Sequence, residues 1–150
     1  MPSNLAFFQK LKEAELKTAE LYRKMADKVE NTATKKRLRE MEEDELLHAL
    51  MVENSKELWL KAVIPEQKLQ EMLQKADLFL EEVNKKLVEV EEKDSLNPEE
   101  CKEIALKIEF NMGEIHLNSL KQLRHSDLKE IVKKLSSFDR THLERIKEWD

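Results

Sequence analysis

The chain has 150 residues, enough for one domain with a real core. With 1 Gly and 3 Pro it lacks the turn-formers that hairpins, bulges and phosphate-cradling loops need, and at 40% hydrophobic and 39% charged its composition is that of a helical bundle. A net charge of -5, spread over 27 basic and 32 acidic residues, offers no basic face for nucleic acid, and a single cysteine excludes an internal disulfide, a Cys-x-x-Cys pair and a four-cysteine iron site.

Apolar spacing of three and four residues predicts five helices. The first covers about 3–30, with Phe8, Leu11, Thr18, Tyr22, Met25 and Val29 on one stripe, and ends at Asn31-Thr32. The second runs from about 34 to 61 through Leu38, Met41, Val52 and Trp59, stopping before Pro65. The third spans about 65–92, with Leu69, Leu73, Ala76, Leu80, Val83, Leu87 and Val90 facing inward. The run Lys93-Asp94-Ser95-Leu96-Asn97-Pro98 ends it, and Asn97, Pro98 and Glu100 form a strong start signal for the fourth, to about 124. The fifth begins near Ser126-Asp127 and runs to the C-terminus with Leu128, Val132, Leu135, Ile146 and Trp149 on its seam. No apolar stretch nears the roughly 18 residues that cross a bilayer, and Leu5-Ala6-Phe7-Phe8 is too short for a signal-peptide core, so a cytoplasmic location and no membrane partner are expected.

Laying the first two helices over the last two at an offset of 94 residues puts Glu15 on Glu109, Leu38 on Val132, Met41 on Leu135 and Val52 on Ile146. The third helix, at about 1.5 Å per residue a rod of roughly 40 Å, can then carry the chain back so that the fourth starts where the second also started.

A core seam should be apolar, because a buried carboxylate or imidazole is costly unless paired or bound to metal. Four seams break that rule. Glu45 and His48 lie between Met41 and Val52; Asp139 and His142 lie between Leu135 and Ile146. Glu15 lies between Leu11 and Thr18, and Glu109 between Ala105 and Met112. An acid and a histidine three apart share one helix face, so four carboxylates and two imidazoles can converge from four helices. Such a donor set suits iron or manganese, and four carboxylates balance two divalent cations. The plain alternative is a polar core without metal.

Glu15, the Glu45-Leu46-Leu47-His48 segment, Glu109 and the Asp139-Arg140-Thr141-His142 segment resemble the ligand set of the rubrerythrin branch of the ferritin-like di-iron superfamily. The resemblance spans most of the chain and implies an all-α, ferritin-like antiparallel four-helix bundle with an additional long crossover helix between the second and third bundle helices. It implies Glu15 and Glu109 as terminal ligands, Glu45 and Asp139 as bridges, and His48 and His142 as nitrogen ligands of two iron ions, with manganese or a mixed pair as alternatives. Reduction of peroxide or dioxygen is the implied activity, with ferrous-iron oxidation and a metal-free helical interaction module as the other readings. Asp139 stands where the family has glutamate, and Met112 stands where peroxidase-type members have a further one. Electrons are expected from a separate donor protein or from ferrous iron, and a homodimer is expected.

Other residues have two readings each. Tyr22, two turns beyond Glu15, is a candidate catalytic residue that hydrogen-bonds a ligand carboxylate or supplies a proton and electron; the alternative is a core tyrosine. His116, at the matching place after Glu109, is a second donor behind the ligands or a satisfied core histidine. Ala19 and Gly113 follow the two glutamates by four residues, leaving room for a diatomic oxidant or for close helix packing. His125 is expected at the surface, Cys101 as a plain thiol, Trp59 and Trp149 as core or dimer contacts, and Glu42-Glu43-Asp44 as a solvated face or an iron-gathering one.

Overall fold

Six α-helices form among residues 3–149, the residues that the computed structural model describes. They are α1 (Asn4–Lys28), α2 (Thr32–Asn54), α3 (Lys56–Lys61), α4 (Glu66–Glu92), α5 (Pro98–Gln122) and α6 (Ser126–Lys147). Side chains at the starts satisfy the otherwise orphaned first-turn amides: Ser3 accepts from Ala6 N–H, Asn31 from Thr34, and Asn97 from Glu100. At α5 the bond is reciprocal, since Glu100 also accepts from the Asn97 amide at 3.2 Å, completing a capping box.

The expected second helix is two helices. The chain breaks at Ser55, whose hydroxyl donates to the Val52 carbonyl at 2.7 Å and whose amide donates there too, at 3.0 Å. A buried hydroxyl that takes a backbone carbonyl competes with the helical ladder, and apolar periodicity does not register that competition. Beyond the break, α3 turns Trp59 into the core against Phe7, with ring centroids 5.2 Å apart, and the Asn4 amide donates to the Trp59 and Ala62 carbonyls at 3.0 and 2.6 Å. The fifth predicted helix ends at Lys147 rather than at the terminus, and Asp150 lies outside the described residues.

Helix α1 is the hub, packed along both α2 and α4, while α5 packs along α6 and α4 joins the two pairs. Its apolar stripe is fully buried, and fully burying a Phe, Leu or Met side chain contributes about 1.5–3 kcal/mol each. On α4 Met72 is buried where the spacing pointed to Leu73, which is half-buried. The Leu96 amide donates to the Lys28 carbonyl at 2.9 Å, and Val29 and Leu96 form an isolated parallel bridge. Since these residues just precede α2 and α5, both helices start at the same end, as the repeat predicts. Helix α2 meets α6 in few places, and the polar seam residues stand between them. None of the described helices is long and apolar enough to cross a membrane.

Candidate metal centre

Every polar residue picked from the four seams is buried. Glu15, Glu45 and Glu109 are wholly inaccessible, as are Tyr22 and His116, and His48, Asp139 and His142 are within 3% of it. Five of the expected ligands gather into two groups, Glu15–Glu45–His48 and Glu45–Glu109–His142, in each of which one donor atom per residue lies within 4.8 Å of the others. Glu45 belongs to both. Its Oε2 is 3.4 Å from His48 Nδ1 and its Oε1 is 3.4 Å from His142 Nδ1, so its two oxygens face two different positions. On the far sides, Glu15 Oε2 is 3.8 Å from His48 Nδ1 and Glu109 Oε2 is 3.4 Å from His142 Nδ1.

None of these inward atoms closes a hydrogen bond. Glu15 Oε2, both oxygens of Glu45, Glu109 Oε2, His48 Nδ1 and His142 Nδ1 are buried without a partner, although more than nine in ten buried polar groups in folded proteins have one. Their outward atoms are well held. The Tyr22 hydroxyl donates to Glu109 Oε1 at 2.7 Å, and His142 Nε2 donates to Asp44 Oδ2 at 3.0 Å, which leaves Nδ1 as the nitrogen facing inward. The ring of His48 is fixed differently, stacked on Phe138 with centroids 4.9 Å apart.

Asp139 stands apart from both groups. Its Oδ2 meets His116 Nδ1, while His116 Nε2 lies 2.8 Å from Glu15 Oε1. A carboxylate only accepts, so His116 donates from both nitrogens and ties Asp139 to the outer oxygen of Glu15. The other Asp139 oxygen is buried without a partner. Gly113 sits over this aspartate: a Cβ there would meet Asp139 Cβ at 3.6 Å, ordinary van der Waals contact, so the glycine is not demanded by a clash.

The charges push one another as their crowding requires. Burial and the nearby Glu45 charge raise the Glu109 carboxyl to about 7. Burial opposes charge on His142, but Glu109 and Glu45 beside it win and push it up to about 11. His116 is raised well above the ordinary imidazole value by Asp139 and Glu15 against the same burial, and burial, partly offset by His116, lifts Asp139 to about 6. The Tyr22 hydroxyl is held firmly protonated by burial and by Glu109. The cluster therefore keeps protons that a cation would displace.

Two contacts escape seam periodicity. Asp44 and Phe138 act from positions one residue off the stripe, whereas His116 lies on it and makes two hydrogen bonds there. The offset of 94 contains a signal for them, since it pairs Asp44 with Phe138, Glu45 with Asp139 and Tyr22 with His116, and each of the outer pairs reaches across to the other half's ligand. Asp44 is thus not part of a merely solvated acidic run. His125 is exposed and caps α6 by accepting from Leu128 N–H; Cys101 is buried, its thiol raised to about 11 by burial and Glu100. Trp59 and Trp149 are both buried. No family model, curated protein or solved structure matches this chain.

Proposed function

We propose that this chain is a ferritin-like di-metal protein of the rubrerythrin kind, with α4 as the crossover and α1, α2, α5 and α6 as the bundle, and that it reduces peroxide or dioxygen. The observation that carries the reading is the set of six buried donor atoms, from five residues on four helices, that face one another and bond to nothing. A hydrogen-bonded polar core would have used those atoms, because each one left unmet costs about 1–3 kcal/mol. Carboxylates with two imidazoles fit iron or manganese better than zinc in a thiolate site or calcium in an all-oxygen one.

Glu15 and His48 would hold one ion and Glu109 and His142 the other, with Glu45 a member of both groups. A ferrous pair supplies the two electrons that reduction of peroxide to water consumes. The chain's part is to hold charge and protons in its interior: the Tyr22 hydroxyl donates to the outer oxygen of Glu109, and Asp44 takes the outer N–H of His142, so that a cation displaces only the proton on the nitrogen facing Glu45 and Glu109. An electron-donor protein and a second copy of the chain complete the proposal.

Metal analysis of protein produced with iron and with manganese tests binding, with two ions per chain expected. Fewer than about one ion favours the metal-free interaction module. Stopped-flow mixing of the ferrous form with peroxide or dioxygen then tests the activity: faster reaction with peroxide supports a reductase, whereas ferric iron released to solution marks a ferroxidase.

A further inference from the structure

Two of the repeat's paired positions are chemically unlike, and both differences disfavour the same ion position. His142 is backed by a carboxylate, Asp44, whereas His48 has the face of Phe138 at the corresponding place. A carboxylate behind a ligating imidazole fixes its tautomer and raises its basicity; a phenyl ring does neither. Glu109 accepts its outer bond from a neutral tyrosine, whereas Glu15 accepts from a histidine that is at the same time bound to Asp139. That second bond engages one oxygen of Asp139, the counterpart of Glu45. Neither cation-sized group contains it, although it is buried and its Oδ1 has no other partner.

We propose that His116 is a positioning residue that keeps Asp139 off the metal pair, so that five protein residues hold the ions and Glu15–Glu45–His48 is the weaker of two unequal positions. The inference rests on the metal-binding reading above. Loading is then sequential, with Glu45–Glu109–His142 filled first. A single outer contact on a ligand typically changes metal affinity 10–100-fold, so a separation of at least about tenfold between the two dissociation constants is expected.

Calorimetric titration of the full chain with Mn2+, read with Co2+ absorption spectra, tests this without reference to turnover. Wild type should take up two ions in resolved steps. Asp139→Asn, which keeps an oxygen acceptor for His116, should leave both steps within about threefold, whereas Asp44→Asn should weaken the first step by about 10–100-fold. His116→Tyr, which places at this position the residue that the repeat has at Tyr22, should tighten the second step by about tenfold or more as Asp139 is released. Loss of an ion in Asp139→Asn makes that aspartate a ligand and overturns the inference. Two indistinguishable steps in wild type overturn it too while leaving the metal reading intact. Uptake of no ion defeats both.

Discussion

Replacing Glu45 by glutamine removes one negative charge and almost no volume from the one side chain that both candidate positions share. The two positions keep Glu15 with His48 and Glu109 with His142, so the variant tests the bridge and not the fold. An ion present at 100 times its dissociation constant stabilises the native state by about 2.7 kcal/mol and at 1,000 times by about 4.1, so Mn2+ at 100 times the weaker of two constants tenfold apart adds roughly 7 kcal/mol. At about 2–4 °C per kcal/mol for a chain of this length, melting of the wild type should rise by roughly 14–28 °C with Mn2+. The lost ligand should weaken each position at least as much as the roughly hundredfold of an outer contact. At the same free Mn2+ that leaves about 0.4 kcal/mol at the weaker position and about 1.4 kcal/mol at the tighter one, and a rise of roughly 4–7 °C. Glu43→Gln, on the exposed face of the same helix two residues away, should keep the full rise. Scanning calorimetry of the three proteins, each measured after chelation and with added Mn2+, decides the matter. An equal rise in wild type and Glu45→Gln, or none in wild type, would refute the assignment of these carboxylates to metal.

Protons and cations compete for the same atoms, which fixes the sign of the pH dependence. Glu109, raised to about 7, favours folding while protonated and loses that contribution as pH rises from its unfolded range toward 7. His142, raised to about 11, contributes fully below its unfolded value near 6.5 and loses it as pH climbs toward 11. Chelated protein should therefore melt lower at pH 9 than at pH 6, while Mn2+ affinity rises by up to about tenfold per pH unit for each proton displaced; parallel pH series of melting and titration check both. Tyr22→Phe leaves Glu109 Oε1 without its donor and should cost about 1–3 kcal/mol in urea unfolding while the number of ions bound stays the same. Asn97→Ala opens the capping box of α5 far from the centre and should cost about 1 kcal/mol by the same assay, with no effect on metal uptake.

The candidate centre was legible because its residues sit where the pattern forbids them. Glu15, Glu45, His48, Glu109 and His142 fall at spacings of three and four among Leu, Met, Val and Ile, and burial of those stripes brings the polar members inward with the apolar ones. Local chemistry likewise exposed the start of α5, where Asn97, Pro98 and Glu100 act on one another within a single turn. Periodicity failed where the deciding contact lies outside the stripe. The break at Ser55 depends on a hydroxyl competing for one carbonyl, which leaves the apolar pattern on both sides undisturbed. Asp44 and Phe138 stand one residue before the seam acids, about 100° around the helix, and only the facing helix gives them a partner.

The same geometry explains why an internal repeat need not give a symmetric centre. The offset of 94 puts a buried acid at matching positions of α1 and α5 and of α2 and α6, so the pattern preserves which positions are buried but not what they carry. Shortening a glutamate to Asp139 moves its carboxylate about one bond nearer its own helix, and there His116, standing where the other half has a tyrosine, offers a second donor nitrogen. Neither change alone has that result: a tyrosine has one hydroxyl to donate, which at position 22 is spent on Glu109, and a full-length glutamate at position 45 faces the two histidines instead. The aspartate and the histidine thus act as a pair, and the side chains that distinguish the two halves are those that touch the ligands from outside. The backbone repeat sets two positions side by side, and these outer contacts make them different.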